Sequence, residues 1–166
     1  MAVDSSEFKH VLRQWASGVT VITTFSGEKL IGVTASAFNS VSAEPPLVLV
    51  CLNRKLYTHR VIEESGVFAV NILGAGQVEI GKLFAGMVPN VQDRFAGLAY
   101  ARAVTGCPLL ADTAGWLDCE LRHAYPEGDH TIFVGEVAAA HAPDHVEPLV
   151  YYNRQWGQFA GHARSS

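Results

Sequence analysis

Four short runs of the sequence carry the residues best suited to chemistry, and in each the chemistry is binding rather than bond cleavage. The first is Gly32-Val-Thr-Ala-Ser-Ala-Phe-Asn-Ser-Val-Ser, small and hydroxylated residues that follow an apolar segment. Small side chains let a ligand approach the backbone, and hydroxyl and amide donors hold an anion or the polar edge of a ring. A serine-rich β-turn region has the same composition. The second run is Val48-Leu-Val-Cys-Leu-Asn-Arg-Lys-Leu-Tyr-Thr-His, an apolar strand that breaks into polar residues before a helix start. Asn53, Thr58 and the helix N-terminus suit a phosphate there. Either side chain would equally serve as an ordinary N-cap. The third is Gly128-Asp129-His130, which sets an imidazole just before a strand; a plain hairpin tip reads the same way. The fourth, Tyr151-Tyr152-Asn153-Arg154, places aromatic rings beside a fixed cation, as would an edge strand packing its rings on a sheet. Trp15 and Phe84 read as core aromatics.

Motifs for nucleophilic or metal chemistry are missing. The sequence has no G-x-S-x-G, no H-E-x-x-H and no Walker A run. Cys51, Cys107 and Cys119 are far apart and form no C-x-x-C, so neither a disulfide framework nor a zinc knuckle is expected. His141 and His145 have helical spacing, but Pro143 lies between them, and no metal site is expected. Gly74-Ala75-Gly76 continues as Gln77-Val78-Glu79, without the third glycine of a dinucleotide fingerprint.

The elements that must position these runs are mostly strands. Phe8, Val11, Leu12 and Trp15 recur at helical spacing behind Asp4 and Glu7, which stand as a capping box, with Gly18 placed to end the helix. Strands are expected over Val19–Phe25, Leu30–Ser36, Leu47–Leu52, Val67–Ile72, Trp116–Tyr125, Thr131–His141, Leu149–Tyr152 and Trp156–Phe159. Ser26-Gly27-Glu28, Glu44-Pro45-Pro46 and Glu127-Gly128-Asp129 break the chain between them. Short helices are expected over Tyr57–Glu64, stopped by Ser65-Gly66, and over Gln77–Phe84, with a turn at Val91–Phe95. In Trp116–Tyr125, Trp116, Asp118, Glu120 and Arg122 cannot all face a core. Many strands with few helices predict a mainly β, antiparallel sheet closed into a barrel, in a single domain over residues 1–166.

The net charge is −4, with scattered basic residues, which gives no electrostatic case for nucleic-acid binding. No apolar run is long enough to span a membrane, and Met1 to Lys9 lacks a signal-peptide core, so a cytoplasmic location is expected. Hydrophobic residues make up 49% of the chain and charged residues 17%. That richness fits apolar surface shared between subunits, or a generous core.

In this order the four runs resemble the flavin reductase-like family, the short-chain NAD(P)H:flavin oxidoreductases that serve two-component monooxygenases. The resemblance extends through Ala16-Ser-Gly-Val-Thr-Val-Ile-Thr-Thr, Glu44-Pro-Pro-Leu, Phe68-Ala-Val-Asn-Ile-Leu, Phe84-Ala-Gly, Asp93-Arg-Phe, Gly128-Asp-His-Thr-Ile-Phe-Val-Gly-Glu-Val and Pro148-Leu-Val-Tyr-Tyr. It implies a split β-barrel homodimer of the FMN-binding type, with flavin near the subunit interface. It implies that Thr34, Ala35, Ser36 and Ala37 line the flavin ring and ribityl side, and that Cys51, Leu52 and Asn53 continue that wall. Tyr57, Thr58 and His59 fall where the family holds the flavin phosphate. Leu83 and Phe84 would approach the ring, and His130, with Phe84, would position the nicotinamide. Tyr152 and Arg154 are further contacts. The cofactors implied are FMN or FAD, with NADH as co-substrate; the absence of an arginine cluster favours NADH over NADPH. The partner implied is a flavin-dependent monooxygenase that receives reduced flavin, with no nucleic acid and no membrane involved. Three other readings stay open at this point. They are a non-catalytic flavin-binding module, a pyridoxine-phosphate-oxidase-like enzyme on the same barrel, and a ligand-free dimeric scaffold.

Overall fold

The computed structural model describes residues 3–161. In chain order the elements are α1 (Ser5–Leu12), β1 (Ser17–Gly18), β2 (Thr20–Ser26), β3 (Lys29–Ala35), β4 (Phe38–Ala43), β5 (Pro46–Asn53), α2 (Tyr57–Ser65), β6 (Val67–Ile72) and α3 (Val78–Phe84). They continue as β7 (Tyr100–Ala101), β8 (Leu109–Leu110), β9 (Gly115–Glu127), β10 (His130–His141), β11 (Leu149–Tyr152) and β12 (Gln155–Gln158).

One seven-stranded sheet runs in the order β3-β2-β6-β9-β10-β5-β4. Its pairings are all antiparallel. β3 and β4 are consecutive in the chain yet stand at opposite edges of this sheet. Only Ser36 and Ala37 join them. Three peptide steps reach roughly 11 Å at most. The sheet therefore has to curl until its edges nearly meet. β3 and β4 do not pair with each other, so the result is an antiparallel split barrel with a seam at Ser36-Ala37.

Alternation builds the barrel interior. On β5, Val48, Val50 and Leu52 are buried, while Leu47, Leu49, Cys51 and Asn53 are half-buried on the outer face. The interior cluster adds Ile22, Ile62, Phe68, Val70, Cys119 and Phe133. α2 contributes buried Thr58, His59, Val61 and Ile62, and ends at Gly66, whose φ of 70° is the left-handed conformation that favours glycine. β2 is buried on both faces, because Val19, Val21, Leu73, Phe84, Phe95, Leu110 and Leu149 form a second core outside the barrel. That second core explains why the alternation over Val19–Phe25 is only partial.

The structure departs from the sequence expectation at several places. β4 occupies residues whose composition suggests a turn region: it is an edge strand with a mostly polar, exposed face, which leaves no hydrophobic period to detect. The N-terminal helix stops at Leu12, and Gly18 lies in β1 rather than ending it. Asp4 caps α1 by accepting from the Ser6 amide at 2.8 Å. No residue of α1 is buried, and Trp15 is 76% exposed instead of lying in a core. Asp118 is fully buried, because its carboxylate accepts from the Thr105 amide at 2.8 Å and from the Thr105 hydroxyl.

A tight contact inside the barrel yields a prediction. A Cβ on Gly135 would lie 2.5 Å from Phe68 Cζ and 3.0 Å from Cys119 Cβ. Gly135→Ala should therefore cost about 1–3 kcal/mol by overpacking. That corresponds to a lower Tm by about 2–4 °C for each kcal/mol. Gly157→Ala, with nothing within 4 Å of the added carbon, should melt within a degree or so of the parent. Equal melting temperatures for the two variants would contradict the packing.

Candidate ligand-binding site

The seam is the start of the site. Ser36 and Ala37 are exposed, and the Cys51 amide donates to the Ala37 carbonyl at 3.0 Å, which pins the link against β5. A groove of about 560 Å³ opens there. One wall is the link itself with Phe38 and Asn39, and another is the outer face of β5 through Leu49 and Cys51. The end of α1 supplies Lys9, Leu12, Arg13 and Trp15, and the segment around the β11–β12 turn supplies Tyr151, Asn153 and Arg154.

The outer face continues along β5 from Cys51 to Asn53, whose register neighbour on β10 is His130. Paired residues in an antiparallel ladder point to the same side. Asp129 fixes this end. Its carboxylate lies 2.7 Å from His130 Nδ1 and accepts from Asn53 Nδ2 at 3.3 Å, while its carbonyl accepts from the Arg54 amide at 2.9 Å. That contact orients the His130 ring and, among the described residues, leaves Nε2 without a hydrogen-bond partner. The hydrogen bond from His130 holds the Asp129 carboxyl below its ordinary value.

Nucleophiles are not activated here. Burial pushes the half-buried Cys51 thiol up from its ordinary value. Burial likewise drives Cys107 to about 11 and Cys119 to about 12. All three stay protonated at neutral pH and serve as apolar packing. Among the described residues no group of three or more His, Cys, Asp or Glu side chains is placed to hold a metal ion. Nor is any described helix long and apolar enough to cross a membrane.

The expected site residues separate into distinct places. Ser36, Ala37, Cys51 and Arg154 share the groove, and Asn53 and His130 extend its β5–β10 face. Thr34 uses its hydroxyl to donate to the Gly81 carbonyl at 2.7 Å, tying α3 to β3. Ala35 packs against the barrel interior, and Leu83 against the second core. Tyr152 is exposed, its hydroxyl donating to Gln14 Oε1 at 3.2 Å. Tyr57 is also exposed, but lies in a separate groove of about 500 Å³ with Gly32 and Arg94. Its ring sits between Lys29 Nζ at 5.0 Å and Arg60 Cζ at 4.8 Å.

Four expected contacts have another role. Leu52 belongs to the barrel interior. Thr58 and His59 are buried because they lie on the inward face of α2; His59 Nε2 bonds Thr131 Oγ1 at 2.7 Å and its ring packs on Phe133. Phe84 is 1% exposed beneath Gly32, where a Cβ would come within 2.7 Å of its ring. It supports β3 from below. Conversely, Lys9, Arg13 and Trp15 line the groove, although none of them belongs to the four runs that stand out in the sequence. The signal for Trp15 is the apolar stripe of α1, which in sequence has the pattern of a core-facing helix.

Residues 12–160 match the family model described as flavin reductase like domain. The reductase component of 4-nitrophenol 4-monooxygenase/4-nitrocatechol 2-monooxygenase from Rhodococcus opacus is 40% identical over 157 residues, covering 95% of this chain and 82% of that protein. The FMN reductase (NADH) RutF of Stutzerimonas stutzeri is 35% identical over 150 residues, covering 90% of this chain and 86% of its own. Among solved structures, the NADH:FAD oxidoreductase SgcE6 of Streptomyces globisporus superposes with a TM-score of 0.88 at 32% identity, over 100% of this chain and 95% of that one. With the split barrel, the seam groove and these matches over nearly its whole length, the chain belongs to the flavin reductase-like family.

Proposed function

We propose that the protein is an NAD(P)H:flavin oxidoreductase that reduces FMN or FAD at the barrel seam and releases it to a partner monooxygenase. The observation that carries this reading is the groove itself. Its volume is typical of a small-molecule site. Ser36 and Ala37 expose backbone between small side chains, and Trp15, Phe38, Leu49 and Cys51 provide apolar wall. Among the described residues, no Asp or Glu lines it. A planar ring carrying phosphate fits such a lining.

The bound flavin supplies the hydride acceptor and the nicotinamide the donor, so no protein acid or base is needed at that step. The chain's own task would be to hold the two rings against each other in a reactive orientation. Ser36, Ala37 and Cys51 seat the flavin ring on the seam. His130, oriented by Asp129, accepts from the nicotinamide carboxamide through Nε2 and sets the second ring. The apolar wall limits water access. NADH is the donor we favour.

A homodimer completes the reading. The chain exposes large apolar side chains near its N-terminus. Phe8, Val11, Leu12 and Trp15 contribute to that surface. A cytoplasmic location is part of the same proposal. Sedimentation at micromolar concentration should give a dimer; a stable, fully active monomer would contradict it.

Mixing the protein anaerobically with flavin and NADH should bleach the oxidised-flavin absorption band. Retention of that band with flavin bound would instead indicate a binding module. Ser36→Tyr should fill the seam and abolish measurable flavin binding in fluorescence titration while the melting transition survives. Unchanged affinity in that folded variant would remove Ser36 from the site. His130→Ala should lower turnover efficiency with NADH by roughly 10- to 100-fold and leave flavin affinity nearly intact. Wild-type kinetics of flavin reduction in stopped flow would take His130 out of the nicotinamide site.

A further inference from the structure

Where α2 meets β10, a polar pair interrupts the apolar barrel interior. His59 and Thr131 are 5% and 0% exposed. His59 Nε2 lies 2.7 Å from Thr131 Oγ1, its Nδ1 faces Glu63 Oε2 at 3.5 Å, and its ring packs on Phe133 with centroids 5.0 Å apart. Other buried polar side chains take main-chain partners. The Thr20, Thr23, Thr24 and Thr113 hydroxyls donate to carbonyls, and Asn71 and Asp118 accept from amides. Between His59 and Thr131 both partners are side chains, so the bond satisfies no main-chain group. Apolar side chains of matching shape would hold the junction about as firmly. What the polar pair adds is direction, because a hydrogen bond fixes distance and angle where apolar contact does not.

The backbone fixed in this way adjoins His130. Along β10 His130 is exposed, Thr131 buried, Ile132 half-buried and Phe133 buried. His59 therefore grips two successive inward positions, Thr131 and Phe133, immediately after His130. The residue before His130 is gripped as well. The Arg54 amide donates to the Asp129 carbonyl at 2.9 Å, and Asn53 Nδ2 donates to the Asp129 carboxylate at 3.3 Å. His130 thus stands between two clamps, and both come from residues 53–59, the segment that leads from β5 into α2.

We propose that His59 is a positioning residue for hydride transfer: through Thr131 it fixes the backbone that presents His130 to the nicotinamide. The proposal rests on the reading of His130 as the nicotinamide contact and adds the residue that sets its place. The His59 side chain is buried on the inward face of α2, so its effect reaches the site through β10. A misplacement of about 1 Å at a positioning group can cost about 100-fold in rate. A single buried hydrogen bond beneath His130 therefore has leverage on turnover.

The test uses His59→Met, Thr131→Val, the two combined, and His59→Gln, whose amide keeps a hydrogen-bonding end. Each variant is measured by thermal melting, by fluorescence titration of FMN, and by stopped-flow reduction of bound FMN over a range of NADH concentrations. Each single apolar change leaves a buried polar atom unpaired and should lower Tm; the combined variant removes both atoms and should recover most of that loss. The efficiency of reduction by NADH should behave differently. It should fall roughly 5- to 20-fold in both single variants and stay low in the combined one, with FMN affinity within about twofold of the parent. His59→Gln should restore efficiency to within about threefold. Recovery of efficiency together with Tm in the combined variant overturns the proposal, as does parent-like reduction in Thr131→Val. Thr131→Val is also added to His130→Ala, where no further loss is expected if Thr131 acts through His130. Thr131→Val keeps the side-chain shape, so this comparison stands even if a His59 variant does not fold. A slow His130→Ala that loses about fivefold more on adding Thr131→Val overturns the positioning role and leaves the reading of His130 intact. Parent-like reduction in His130→Ala sinks that reading, and the positioning role with it.

Discussion

The two-residue link between β3 and β4 is the constraint on which the rest of the structure depends. It joins opposite edges of a seven-stranded sheet, so the sheet has to roll up. A barrel closed through its ladder would bury its edges in hydrogen bonds. Here the link brings the edges together without pairing them. The seam leaves exposed backbone, and Ser36 and Ala37 are small enough not to cover it. Topology thus creates a binding surface at the point where the chain crosses from one edge to the other.

Holding that seam open requires a rigid frame on both sides. Inside, Phe68 and Phe133 fill the barrel, and Gly135 leaves room for the Phe68 ring. α2 packs its Val61, Ile62 and His59 inward, with His59 locked to Thr131 at the start of β10. Thr131 directly follows His130, so the His130 imidazole is carried on backbone anchored from below. Outside, Thr34 and Phe84 hold α3 against β3. Several residues that belong to binding motifs in sequence therefore act as supports for their neighbours. The separation follows strand alternation: Cys51 and Asn53 face outward, and Leu52 between them faces the core.

Much of the fold is legible in the sequence because its strands alternate or run apolar between clear turns. The hairpins at Gly27-Glu28 and Gly128-Asp129 and the stop at Gly66 are local signals with local causes. β4 is not legible, since a polar edge strand has no buried face to impose a period. The site is legible in part. The small residues Ser36-Ala37 that line the groove are visible in sequence, whereas the burial of Thr58 and His59 depends on where α2 docks. Trp15 illustrates the same limit from the other side. Its helical spacing with Phe8, Val11 and Leu12 records an apolar face, and only tertiary structure shows that this face lies open beside the groove.

A planar ring seated on the seam would shield the backbone beneath it, and hydrogen exchange reads that placement directly. Exchange should be compared for the protein alone and saturated with FMN. Protection should concentrate at Ser36–Asn39 and Cys51–Asn53, the link and the strand it is pinned to. Protection confined to residues 28–32 and 91–95, around the second groove, with the link exchanging as freely as before, would contradict a seam-bound flavin.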